Sequence, residues 1–145
     1  MKITEKTYQR LRMGEFIIKE YDNWILVMRA EQLVLGRISL INKNGFGNLG
    51  DLPDNEILEM RKIANEIETK LKSAFDYDKM NYQVLGLVDP EFALHILPRY
   101  SGPREWNGRE FFDQGWPTPD YLKNKNDMTE EELKILCKYL YDLFK

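Results

Sequence analysis

The chain has 145 residues, 43% of them hydrophobic and 31% charged, with a formal net charge of −3 and a pI near 5.3. That length suits one domain over residues 1–145 that buries its own core. The acidic balance argues against a general binder of nucleic-acid polymers or anionic membranes, which would be basic.

A single cysteine, Cys137, rules out an internal disulfide and fits a reducing, cytoplasmic setting. No apolar run approaches the roughly 20 residues of a membrane span. The start, Met1-Lys-Ile-Thr-Glu-Lys6, leads into polar residues rather than a signal-peptide core.

Residues 1–15 are mixed and polar, with Gly14 as the expected break. Phe16–Tyr21 suits a short strand or a helical turn equally, and periodicity does not decide. After the turn signal Asp22-Asn23, Trp24–Met28 reads as a buried strand. Gln32–Ile41 resumes extended character with an interruption at Gly36, so two antiparallel strands joined through Arg29–Glu31 are the simplest reading.

Gly45, Gly47 and Gly50 in the following loop match G-x-G-x-x-G. A dinucleotide-binding turn needs its helix to open at the glycines, and here residues 51–54 intervene, so the glycines read as turn residues. Asp54 is the expected N-cap of a helix ending near Ser73, with Ile57, Met60, Ala64, Ile67 and Leu71 on its apolar face. Glu66–Lys70 and Glu68–Lys72 are spaced as i,i+4 pairs on its wet side.

Residues 81–100 read as two apolar strands joined at Asp89-Pro90, and they hold the chain's only histidine, His95. Alternation places Glu91, Ala93, His95 and Leu97 on one face and Phe92, Leu94 and Ile96 on the other. Residues 101–128 read as a long irregular segment rich in aromatics, including Trp106 and Trp116, and this favours docking on a surface. Thr129 and Glu132 predict a capping box for a last helix with the stripe Leu133, Leu136, Leu140 and Leu143, which Cys137 borders as a core residue.

The pattern Asn81-x-Gln83-x-Leu85-Gly86, Pro90, His95-Ile-Leu-Pro-Arg-Tyr100 resembles the histidine triad (HIT) family, in which three histidines at alternate positions are commonly followed by Pro-Arg. Leu35–Ile41 is similar to the strand preceding that family's central helix, and Leu52–Glu56 to the helix start. Residues 101–106 and 114–117 resemble one bacterial subgroup. The resemblance spans residues 15–117, leaving 118–145 as a C-terminal extension.

It implies an α+β fold with an antiparallel sheet, one central helix and a C-terminal helix, in a homodimer that binds nucleotides without a metal or other cofactor. Typical members hydrolyse or transfer nucleotidyl groups through a covalent nucleotidyl-histidine. In that register His95 matches the third histidine, Ala93 the nucleophile and Glu91 the first histidine. Arg37 stands where a further histidine is usual, and Leu87 where a polar residue often meets phosphate. Arg29 lies near the ribose-facing strand position, and Asn81 near the phosphates.

A methyl group has no lone pair to attack with, and His95 sits two strand residues, several ångströms, from the position. The expectation is therefore a protein that binds a nucleotide or other phosphorylated small molecule through His95, Arg37, Asn81, Gln83 and Arg29, with phosphohistidine chemistry lost. A divergent phosphohydrolase or nucleotidyl transferase, and a structural homodimer without ligand, are the alternatives. Glu91 would repel phosphate unless Arg37 or Arg99 neutralised it. Arg99 itself is expected to pair with Glu91 or with the segment that follows it.

Overall fold

A computed structural model describes residues 1–145. Five strands form one antiparallel sheet: β1 (Ile17–Glu20), β2 (Trp24–Met28), β3 (Ile38–Asn42), β4 (Lys79–Gln83) and β5 (Ala93–Arg99), in the order β1-β2-β3-β5-β4. Every residue of β2 and β3 is buried, which is why Trp24–Met28 reads as a continuous apolar run rather than an alternating one. The Asp22-Asn23 turn closes β1 onto β2, where the Tyr21 N–H donates to the Trp24 carbonyl at 2.8 Å. The ambiguous stretch at 16–21 divides at Phe16: Met13–Phe16 is a helical turn, α2, and β1 follows it.

The polar N-terminus is more regular than its composition suggests. Helix α1 (Glu5–Arg10) is capped by Thr4, whose Oγ1 accepts from the Thr7 N–H at 3.3 Å, and Gly14 lies within α2 rather than at a break. The β2–β3 link runs through residues 29–37, not 29–31. Gln32 fills it, donating Nε2 to the carbonyls of Arg29 (2.7 Å) and Arg37 (2.8 Å) and accepting from the Gly36 N–H (2.8 Å). Gly36 sits at φ +87, a conformation that strains any residue with a Cβ.

Helix α3 (Asp54–Phe75) follows the loop at 43–53. Pro53, not Asp54, holds the N-cap position. The helix runs two residues past Ser73, to a left-handed Asp76. Its buried side is Ile63, Ile67, Leu71 and Phe75, while Ile57, Met60 and Ala64 flank it half-buried. The start of α3 is fixed to the sheet face that carries Trp24 and Asn42: Trp24 Nε1 donates to the Glu56 carbonyl (3.0 Å) and Asn42 Nδ2 to Glu56 Oε1 (2.8 Å). Glu66 and Lys70 lie 3.9 Å apart. The expected Glu68–Lys72 pair does not form, because Glu68 accepts from the Tyr82 hydroxyl and Lys72 lies 3.3 Å from Asp76.

Strands β4 and β5 are joined by residues 84–92 rather than by a turn at Asp89-Pro90, and Val84, Leu85, Leu87 and Val88 are exposed there. The glycine loop packs beneath this link. A Cβ on Gly47 would lie 2.7 Å from the Pro90 carbonyl oxygen, and the Phe92 N–H donates to the Phe46 carbonyl at 2.8 Å. Close backbone approach therefore accounts for Gly47.

The segment 101–128 is not wholly irregular. It holds a hairpin, β6 (Arg104–Trp106) and β7 (Arg109–Phe111), turned at Asn107-Gly108 with both residues at positive φ, and a 3-10 turn at Tyr121–Lys123. Trp106 packs on Tyr139 with ring centroids 5.5 Å apart. Buried side-chain amides dock the rest of the segment. Asn124 donates to Asp113 Oδ1 (2.7 Å), and Asn126 donates to the carbonyls of Leu33 and Phe112 (3.0 Å each).

Helix α4 (Glu130–Leu143) opens with the predicted capping box and buries Leu133, Leu136, Cys137 and Leu140, with Leu143 half-buried. Burial pushes the Cys137 thiol up to about 11. A connected core of 31 buried apolar residues extends from Leu11 to Phe144. No helix is long and apolar enough to cross a membrane.

Candidate functional site

The strand register assembles a polar cluster on the sheet face opposite the start of α3. Ser39 pairs with His95 and Ile41 with Ala93, while Val27 pairs with Ser39. Arg29 continues the face of Val27, and its N–H donates to the Arg37 carbonyl at 3.1 Å, setting the two arginines side by side. Gln32, tied to both backbones, holds them there.

Together with Arg10, Asp89, Glu91, Ala93, His95 and Tyr121, Arg29 and Arg37 line a cavity of about 180 Å³, and Leu85, Gly86, Leu87 and Val88 form its remaining wall. The cluster is short of negative charge. Arg10 is held by both Asp89 oxygens, an ion pair that consumes one cation and one anion.

Glu91 does not face the cavity centre as the sequence suggested. Its Oε2 accepts from the Thr4 N–H (2.6 Å) and its Oε1 from the Thr7 hydroxyl (2.7 Å), so it anchors the start of α1. Neither Arg37 nor Arg99 pairs with it. Arg99 instead makes a two-pronged bond to Asp113, at 2.6 and 3.1 Å, in the segment that follows it.

Arg29 and Arg37 remain, each only 8% exposed. Arg37 donates Nη1 to the Glu31 carbonyl (3.0 Å) and lies over the Tyr121 ring (5.7 Å), but its buried Nε has no acceptor. Arg29 has only a distant carboxylate, Glu31 at 3.9 Å on an exposed side chain. Burial, then the Arg37 charge, lowers the Arg29 pKa to about 10, and burial lowers that of Arg37.

His95 Nδ1 faces the Ser39 hydroxyl at 3.0 Å and Arg29 Nη1 at 3.4 Å. A guanidinium can only donate, so Nδ1 accepts and the ring proton sits on Nε2. Burial first, then Arg29, Arg37 and Arg10, lowers the His95 pKa to about 4. The imidazole is thus neutral at physiological pH and offers one N–H.

Of the residues expected at the site, Arg29, Arg37, Glu91, Ala93 and His95 come together; Asn81 and Gln83 do not join them. Both are on the same sheet face, as Gln83 pairs with His95 and Asn81 with Leu97 in the register. However, Asn81 Oδ1 accepts from Arg99 (3.1 Å), Gln83 accepts from the Tyr121 hydroxyl, and both line a separate hollow beyond Tyr121. Tyr121 stands between the two hollows because the 3-10 turn projects it onto the sheet. Arg10, Ser39, Asp89 and Tyr121 were not anticipated. Ser39 alone had a usable signal, since it shares the parity of Arg37 along one strand.

The fold as a whole matches known architecture. A histidine triad protein from Sinorhizobium meliloti superposes with a TM-score of 0.73 at 17% identity, covering 97% of this chain and 96% of that one. One from Marinobacter aquaeolei gives 0.72 at 20% identity, with 99% and 98% covered. A hypothetical histidine triad nucleotide-binding protein from Sulfolobus tokodaii gives 0.72 at 16% identity, with 95% and 89% covered.

The chain has the histidine triad fold. No family model and no curated protein matches the sequence itself. Within the histidine triad fold, the face that brings Glu91, Ala93 and His95 together is the one that gathers Arg29 and Arg37.

Proposed function

We propose that this chain is a nucleotide- or phosphate-ligand-binding protein of the histidine triad type in which Ala93 stands in place of the attacking histidine. One observation carries the reading: Arg29 and Arg37 are buried side by side at the cavity without a close carboxylate, and Arg37 Nε has no partner. Burying such cations is costly unless an anion completes them. A phosphate accepts the guanidinium fork and the His95 Nε2–H together.

His95 is a poor replacement nucleophile here, because its Nδ1 lone pair points at Ser39 and Arg29 and its other nitrogen carries the proton. Thermal shift and titration calorimetry with a panel of mono- and dinucleotides test the reading. A ligand at about 100 times its Kd adds about 2.7 kcal/mol to stability. No shift with any of them would refute it. An acid-labile phosphoryl-protein adduct that disappears in His95→Ala would restore the catalytic alternative.

A further inference from the structure

The cavity is charged on one side and apolar on the other. Arg10, Arg29 and Arg37 line it together with two carboxylates, Asp89 and Glu91, and Glu31 lies 3.9 Å from Arg29, so its positive balance is modest. The space, about 180 Å³, lies below the roughly 300 Å³ at which whole small-molecule sites begin. It admits the anionic end of a ligand, and the remainder has to leave past the wall of Leu85, Gly86, Leu87 and Val88.

That wall offers no polar side chain. Leu87 is 83% exposed, more than any other large apolar side chain of the protein, and Val84, Leu85 and Val88 are exposed beside it. No hydrogen bond ties the backbone of 84–88 to the rest of the chain; the run is fixed at its ends, by Gln83 in β4 and by Asp89, which Arg10 holds. Backbone without such bonds adjusts at low cost. On the opposite side, Tyr121 has committed its hydroxyl to Gln83. A ribose and base leaving along the wall would lose water from their polar groups without gaining side-chain partners, whereas an aliphatic chain would cover apolar surface that water now covers. A stable dimer needs roughly 20–30 residues a side, so this run does not make one by itself.

We propose that the site takes the phosphate ester of an apolar chain, with the phosphate at Arg29, Arg37 and His95 and the chain along Leu85, Leu87 and Val88. The proposal rests on the anion-binding reading above and assigns the part of the ligand that lies outside the arginines.

Calorimetry on the full chain at pH 8 compares ethyl, butyl and hexyl phosphate with a nucleoside 5′-monophosphate. The head is the same dianion throughout, its second ionisation lying near 6, so only the substituent varies. A methylene covered on one side gives about half the effect of full burial, so affinity is expected to rise about twofold per methylene, about fifteenfold from ethyl to hexyl. Hexyl phosphate is expected to bind more tightly than the nucleoside monophosphate, which is held through its phosphate alone. In the double variant Leu85→Ser/Leu87→Ser, whose sites are exposed and outside the core, the gain is expected to fall to within about threefold. Unfolding curves confirm that the variant is folded.

A flat series in which ethyl phosphate still binds would overturn the apolar chain and leave phosphate binding standing, as would tighter binding of the nucleoside monophosphate than of hexyl phosphate. Failure of every ester and of inorganic phosphate to bind would instead overturn the anion-binding reading itself. An undiminished gain in the folded double variant would overturn the placement of the chain on this wall. A wild-type dimer in sedimentation that the double variant dissolves, together with a flat series, would show that a second copy covers the run instead.

Discussion

Replacing Arg29 by methionine is expected to make the ligand-free protein more stable. Arg29 is held at about 10, below its ordinary 12.5, first by burial and then by Arg37. Because the folded state binds this proton less tightly than the unfolded chain, the charge penalises folding at every pH below about 10. The penalty is relieved only as pH rises from there towards 12.5. At neutral pH it amounts to about 3 kcal/mol.

Against this stand the Nη1 contacts to Ser39 Oγ (3.5 Å) and His95 Nδ1 (3.4 Å), both long and together worth about 1 kcal/mol. Arg29→Met therefore gains about 1–2 kcal/mol, or about 5 °C in Tm for a chain of this size. Urea denaturation at pH 7 without ligand measures it.

A second readout is independent of stability: Arg29 is the leading charge among those lowering the His95 pKa to about 4, so the NMR titration midpoint of His95 should rise towards its ordinary 6.5. A clear loss of stability in the variant, or an unmoved His95 midpoint, would refute the view of Arg29 as an uncompensated cation.

The buried Arg99–Asp113 pair, with side-chain exposures of 3% and 0%, gives the opposite sign: Asp113→Asn strands the guanidinium and should cost about 3–5 kcal/mol by urea denaturation. Burial pulls the Asp113 carboxyl upward, but bonds from Arg99, Asn124 and the Tyr100 N–H outweigh it and hold its pKa below the usual range. This pair's contribution is therefore present above about pH 4 and should be lost as pH falls further, visible as a decline in urea midpoint below pH 4. Thr129→Ala removes the acceptor for the Glu132 N–H (3.1 Å) and should cost about 1 kcal/mol in the same assay. Cys137, buried and pushed up to about 11, should react with a disulfide reagent at pH 8 only as fast as the protein opens, and rapidly in denaturant.

Much of the fold was legible because its elements announce themselves locally. Trp24–Met28 is a strand of those five residues, and the Thr129–Glu132 box opens α4 where expected. Errors fell where a neighbour decides. Helix α1 is short and polar and is fastened through Thr4 and Thr7 to Glu91, 84 or more residues away, so no local periodicity reveals it.

The apolar run Val84–Val88 reads as a strand because exposure is invisible in composition, yet its apolar side chains are exposed and Leu85–Val88 form a wall of the cavity. Alternation alone put Ala93 and His95 on one face, whereas Arg29 and Arg37 followed only from the family resemblance. Asn81 and Gln83 share that face and still miss the cavity, because Tyr121, delivered by a segment docked through asparagine side chains, stands in the way. Parity assigns a face, and a distant residue then divides it.

The same reasoning changes the meaning of Glu91. Read along the strand, it is an anion two positions from Ala93 and a reason to doubt phosphate binding. In three dimensions its two oxygens are occupied by Thr4 and Thr7, while Asp89, which the strand pattern ignored, takes up Arg10. Both acids near the cavity are thereby committed to α1, the helix least visible in the sequence. The N-terminal segment thus shapes the site: it ties Asp89 to Arg10 and Glu91 to Thr4 and Thr7, and neither acid closes on Arg29 or Arg37.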